Sequence, residues 1–273
     1  MPQAPPTRAS PPPDQAEGFA RPPFRASLAA QRRFFMRSYK LHGEQNFKWR
    51  GADVSRLENL SDIVFALVIT LAAAQSVPQS FAELTSLWRD ALSLAFCFAL
   101  LVLVWRIHHV FFRRYDLQDT TTLALNAVVL FLILVYIYPL KFMSGFVVDF
   151  FTGGFADEAE IVAALSIDQV AWLYLIYSGF FAALYLTFAA LYAHALAHAD
   201  DIGLDARERD YTRFEIENGI GVALLSGAIV ALAFTLPAPL APFVGALFSL
   251  IGLVSWVCGI RAEKRALAAE AVL

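Results

Sequence analysis

Charge is scarce in this chain: Asp, Glu, Lys and Arg make up 16% of its 273 residues, against about 25% in soluble domains. A water-soluble fold of this length would need more charged surface than that. The charges nearly cancel, leaving a formal net charge of −3, which excludes the strongly basic field expected of a nucleic-acid partner. Cysteine is scarcer still. Cys97 and Cys258 both stand inside apolar runs, so no disulfide framework is legible and the redox compartment stays open. The Pro-rich opening lacks the apolar core of a signal peptide, so no cleavage of the N-terminus is expected.

What the chain has in abundance is apolar sequence, 58% of all residues. It falls into six stretches, at 60–77, 91–112, 122–146, 168–192, 214–235 and 239–259. Each is near the ~20 residues that cross about 30 Å of hydrocarbon as an α-helix. Pro78 closes the first stretch, and Pro237, Pro239 and Pro242 read as a tight outer connection between the last two. Nineteen of the 21 Lys and Arg fall on one side of this arrangement, with Arg89 and Lys141 alone on the other. That bias places both termini in the cytoplasm and requires an even number of spans. The expected fold class is therefore all-α: a polytopic membrane protein of six transmembrane helices.

Residues 1–50 read as a disordered Pro-rich and basic cytoplasmic tail, 51–262 as the six-helix transmembrane domain, and 263–273 as a short cytoplasmic C-terminal tail. Within the first tail, 27–41 mixes Arg32, Arg33, Arg37 and Lys40 with aromatics, which suits either a membrane-surface helix or a solvated basic segment. The outer connection 147–167 is mildly acidic, with Asp149, Asp157, Glu158 and Glu160.

The polar residues within or beside the spans carry the functional information. Span one opens Arg56-Leu57-Glu58-Asn59-Leu60-Ser61-Asp62. A carboxylate there needs a partner or water; alternatively Asn59 or Ser61 caps the helix and Asp62 sits on its positive end. Trp105, His108 and His109 in span two and Asn126 in span three lie at the same depth as Ser61 and Asp62. They are expected to knit three helices together through interhelical hydrogen bonds, or else to stand as interfacial histidines beside Arg113 and Arg114. Further along span one, Leu67, Leu71 and Ala74 form one stripe, with Thr70 beside it. His194 and His198 share a helix face at the end of span four, a weak metal signal without a third ligand. Small residues at helical spacing, Ala223, Gly227 and Ala231 in span five and Gly245, Gly252 and Gly259 in span six, read as close helix contacts.

The order Arg56-x-x-x-Leu60-Ser61-Asp62, then Ala66-Leu67-x-x-Thr70-Leu71, resembles the first-helix signature of the transmembrane protein 175 family of bacterial and lysosomal potassium channels. Trp105-x-x-His108, and Leu125-Asn126 leading to Pro139, also match that pattern, so the resemblance covers residues 56–145. It implies a homotetramer of six-span subunits in the lipid bilayer that passes K⁺ along a pore lined by the first helix. It implies no enzymatic activity, no cofactor and no metal. Like that family, the chain lacks a Thr-Val-Gly-Tyr-Gly filter. Carried over, Leu67 forms the narrow apolar ring, Thr70 a hydroxyl ring, Leu71 a second apolar layer and Ala74 the position of a third. Arg56, Ser61, Asp62, Trp105, His108 and Asn126 become the network that holds the first helix. Two departures stand out. Leu60 replaces an aromatic, which should loosen packing around the network, and Ala72, Ala73, Ala74 and Gln75 replace bulkier residues and an acid. A wider outer pore with weaker ion discrimination is expected. A bacterial inner membrane suits the one-repeat chain, and Asp62 close to His108 would couple gating to cytoplasmic pH.

Two other functions compete. Ser61, Asp62, His108, His109, His194 and His198 all lie at cytoplasmic span ends, where they would suit an intramembrane zinc-dependent hydrolase. A non-conducting membrane scaffold using the tail is the other.

Overall fold

The structure, a computed structural model, describes residues 47–51, 53–74, 79–154, 165–166 and 169–270. The chain divides into two units, Met1–Phe47 and Lys48–Leu273, and the architecture below is that of the second. The basic segment 27–41, Gln75, Pro78 and the loop acids Asp157, Glu158 and Glu160 lie outside the described residues.

Among the described residues six α-helices run in order: α1 Arg56–Ala73, α2 Phe81–Tyr115, α3 Thr120–Thr152, α4 Val170–Ala197, α5 Ala206–Thr235 and α6 Leu250–Glu270. The protein is all-helical, as its composition demanded. Five helices are long and apolar enough to cross a membrane. The exception is α1, with 18 residues. Arg56, Glu58 and Asp62 occupy its first two turns and dilute its apolar run. By contrast α2 has 35 residues, about 52 Å of helix, and so extends well beyond the hydrocarbon.

Each boundary has a local cause. Ser55 caps α1 in a reciprocal box with Glu58, and Asp205 caps α5 in the same way with Glu208. Asp119 caps α3 by accepting from the amides of Thr121 and Thr122. Gly153 ends α3 in the left-handed region at φ 68°, where a side chain would be strained.

The last span departs from expectation. A 3₁₀-helix over Ala238–Ser249 precedes α6. Pro239 and Pro242 lie inside it rather than in a loop. Their missing amides prevent an α-helical ladder through its first half, and the tighter i→i+3 turn takes over. At the other end α6 continues to Glu270, so the expected C-terminal tail is helical through that residue.

Helix α1 packs on α2 and α3, α3 also on α4, α4 most extensively on α5, and α5 on α6. The α4–α5 seam is close at Gly219, where an added Cβ would stand 3.0 Å from both the Ala189 Cβ and the Tyr185 carbonyl oxygen. Gly245 meets the Tyr174 hydroxyl in the same sense. Gly227 and Gly252 face open space instead. The buried stripe of α5 runs Gly219, Val222, Ser226, Ile229 and Ala233, one face away from the Ala223–Gly227–Ala231 row. Spacing alone cannot tell one stripe of small residues from another.

Candidate functional site: the first helix and its anchors

The buried positions of α1 are Glu58, Ser61, Phe65, Val68 and Ala72, spaced three and four apart on one face. At its cytoplasmic half that face is held by a directional relay. The Ser61 hydroxyl donates to the Leu57 carbonyl at 2.8 Å. Having spent its one hydrogen, it accepts from Asn126 Nδ2 at 3.0 Å. The Asn126 Oδ1 therefore faces His108, whose Nε2 lies 2.6 Å away and must carry the proton. Ser61 and Asn126 are fully buried and His108 nearly so. Phe65 and Phe112 pack on the His108 ring at centroid distances of 5.6 and 4.7 Å. Three helices thus meet at one buried polar chain.

Asp62 takes a separate partner. Its Oδ1 accepts from Trp105 Nε1 at 2.8 Å, and Trp105 stacks on His109 with centroids 5.2 Å apart. The structure therefore splits the expected Asp62–His108 couple into two different contacts. Arg56, expected in the network, is exposed and forms no hydrogen bond or ion pair among the described residues. Leu60 is likewise exposed at 49%, so its packing role around the relay falls to Phe65. Neither Asn59 nor Ser61 caps α1. The cap is the Ser55-x-x-Glu58 box, a short motif whose spacing is legible in the sequence.

The segment leading into α1 carries a second anchor that composition did not reveal. Arg50 Nη2 pairs with Glu208 Oε2 at 2.6 Å, while its Nε and Nη2 also donate to the Ile202 and Gly203 carbonyls at 2.7 and 2.8 Å. The Lys48 amide donates to Glu208 Oε1 at 2.7 Å. Arg113 Nη1 donates to the Gly51 carbonyl at 2.8 Å, and its Nε lies 3.8 Å from Glu58 Oε1. Arg114 is buried, with its guanidinium 4.5 Å over the Tyr211 ring. Several of the charges that set the topology therefore also tie the entry of α1 to α2 and α5.

The opposite face of α1 carries Asp62, Ile63, Leu67, Thr70 and Ala74, all exposed in the protomer, with Leu67 at 49%. Leu71 is half-buried at its edge. Thr70 donates back to the Ala66 carbonyl at 2.9 Å, leaving its oxygen lone pairs outward.

The histidines do not assemble a metal centre. His194 Nε2 lies 2.9 Å from Asp119 Oδ2, and His198 Nδ1 lies 3.0 Å from the His194 carbonyl. Among the described residues no three His, Cys, Asp or Glu side chains converge, and the zinc-hydrolase reading loses its geometry. At Asp119 partial burial opposes ionisation. Hydrogen bonds from His194 and from the Thr122 amide and hydroxyl outweigh it and hold the carboxyl well below the usual range.

The sequence model of the family described as "Endosomal/lysosomal potassium channel TMEM175" matches residues 56–136. A potassium channel of Marivirga tractuosa is 44% identical over 111 residues, 40% of this chain and 45% of that protein. The match thus spans less than half the length of that relative. A potassium channel of Chamaesiphon minutus is 26% identical over 190 residues, 65% of this chain and 84% of that protein. A crystal structure of the potassium channel MtTMEM175, a variant in complex with a nanobody–MBP fusion, superposes with a TM-score of 0.72 at 28% identity, covering 82% of this chain and 100% of that one. The family model falls on α1 to α3, where the relay is built, and the structural likeness runs the full length of a solved channel: in these helices and in its fold this chain is similar to the TMEM175 potassium channels.

Proposed function

We propose that the chain is one subunit of a homotetrameric, potassium-permeable cation channel whose pore runs along α1, and that it acts by conduction rather than catalysis. The observation that carries this reading is the division of α1 into a pinned face and an uncovered one. Lipid would suit Ile63 and Leu67, but not Arg56, Asn59 and Asp62 on the same exposed side. A charged side chain in hydrocarbon costs ~2.5–3.5 kcal/mol at the helix centre and less near its ends. A water-filled path shared by several copies of α1 accommodates both kinds of residue. The names of the Marivirga, Chamaesiphon and MtTMEM175 relatives, all potassium channels, point the same way.

In this reading Leu67 forms the narrow ring, which closes by excluding water and opens with a small widening. Thr70 offers lone pairs one turn further out. Leu71 adds a partial apolar layer and Ala74 leaves the outer end wide. Selectivity rests on dehydration cost, which K⁺ meets more readily than Na⁺, so modest discrimination is expected. The relay through Ser61, Asn126 and His108, with the Asp62–Trp105 contact, fixes the helix that carries the gate. A bacterial inner membrane is the proposed location.

The test is K⁺ and Na⁺ flux from liposomes carrying the purified protein and its Leu67→Asn variant. Flux that favours K⁺, and that rises when the apolar ring becomes wettable, is the expected result. Folded tetramer that passes no ion, or flux indifferent to Leu67→Asn, would overturn the proposal.

A further inference from the structure

The cytoplasmic half of α1 is held by the relay, but its outer half rests on apolar contacts through Val68 and Ala72. A polar side chain from another helix reaches that outer half. Lys141 Nζ, from α3, donates to the carbonyl of Ala74 at 2.5 Å. Ala74 is the C-cap of α1, and its own amide already bonds back to Thr70 and Leu71. The carbonyl end of a helix carries partial negative charge, so an ammonium group there is favourable and draws the last turn closed.

Lys141 is well placed to transmit position. It stands two residues after Pro139, whose carbonyl accepts from the Tyr177 hydroxyl of α4. Three residues further on, Ser144 lies 3.1 Å from Cys97 Sγ of α2. The stretch of α3 that presents Lys141 is therefore tied to α2 and α4 on either side.

We infer that Lys141 is a positioning residue: it latches the outer end of α1 to α3 through the Ala74 carbonyl, and so sets the spacing of the Thr70–Ala74 layers. The role of the spacing rests on the reading of α1 as the pore helix; the latch itself does not. Its charge was visible in the sequence only as one of two basic residues on the outer side.

The test compares wild type with Lys141→Met, Lys141→Gln and Lys141→Arg in two measurements on the full-length protein. The first is amide hydrogen exchange of residues 71–74 in detergent or nanodiscs. Lys141→Met should speed exchange there by roughly 5- to 30-fold, the factor that one or two kcal/mol represents, with amides 61–65 unchanged. Lys141→Arg should restore protection, and Lys141→Gln, a milder change that keeps a neutral donor, should fall between. The second is single-channel recording, where Lys141→Met should shift open probability and Lys141→Arg should return it. Unaltered exchange in both Lys141→Met and Lys141→Gln overturns the latch, as does an arginine variant as frayed as the methionine one. A fraying last turn with unchanged open probability overturns its role in the pore. Wild type that passes no current defeats the channel reading instead, and the exchange data still decide the latch.

Discussion

Asn126→Leu removes the middle of the relay while keeping the number and branching of the side-chain heavy atoms. The cost can be worked from the partners it abandons. Ser61 keeps its bond to the Leu57 carbonyl, so its loss is the interhelical bond alone, ~0.6 kcal/mol on average in membrane helices. His108 fares worse. Its Nε2 loses the 2.6 Å contact in a site where it is 2% exposed, and an orphaned buried donor costs about 1–3 kcal/mol. The expected destabilisation is ~2 kcal/mol, most of it from His108. That assignment makes a sharper demand. His108→Phe keeps a ring against Phe65 and Phe112 but orphans Asn126 Oδ1, so it too should destabilise. Combining it with Asn126→Leu removes both orphans, and the double variant should be more stable than the sum of the singles by ~1 kcal/mol or more. Equilibrium unfolding of the four proteins in one detergent provides the numbers. Additive losses, or an Asn126→Leu cost under ~0.5 kcal/mol, would refute the directional relay.

Two further predictions follow from local geometry. Gly219→Ala places a Cβ 3.0 Å from Ala189 and from the Tyr185 carbonyl and should cost ~1–3 kcal/mol by prising α4 from α5, whereas Gly227→Ala, which meets nothing within 4 Å, should be neutral or stabilising by up to ~1 kcal/mol; thermal melting of both variants checks the pair. Asp119 has its folded pKa held below the unfolded value, so its stabilisation is complete above the unfolded carboxylate pKa of about 3.9 and is lost as pH falls through the lower folded value. The side chain is 41% exposed, which limits the effect to ~1 kcal/mol for cap and ion pair together. Asp119→Asn should therefore lower the melting temperature at pH 7 and flatten the acid limb of a stability–pH curve below about pH 4.

How much of the site could be read from the chain varied with the interaction. Ser61, Asp62, Trp105, His108 and Asn126 were legible as a group, because helical rise alone sets their depth and polar residues stand out against Leu, Ala and Val. Which of them pair was not legible, since rotation of each helix about its axis decides whether Asp62 meets His108 or Trp105. Arg56 shows the limit: motif order placed it with the network, but one position along α1 turned it to the open face. The Arg50–Glu208 contact joins residues 158 apart and left no periodic trace at all.

Hydropathy, the distribution of Lys and Arg and the spacing of turns determined by themselves that this is a six-helix membrane protein, because those terms depend on burial in lipid and on charge at its surfaces. The motif order across the first three helices sufficed for the resemblance to the TMEM175 channels. Tertiary structure decided the rest: which face of α1 is pinned and which is open, which way protons point along Ser61, Asn126 and His108, which glycines allow close approach, and that Lys141 closes the end of α1. Each of these depends on the relative rotation and approach of neighbouring helices, and a single chain's periodicity contains neither.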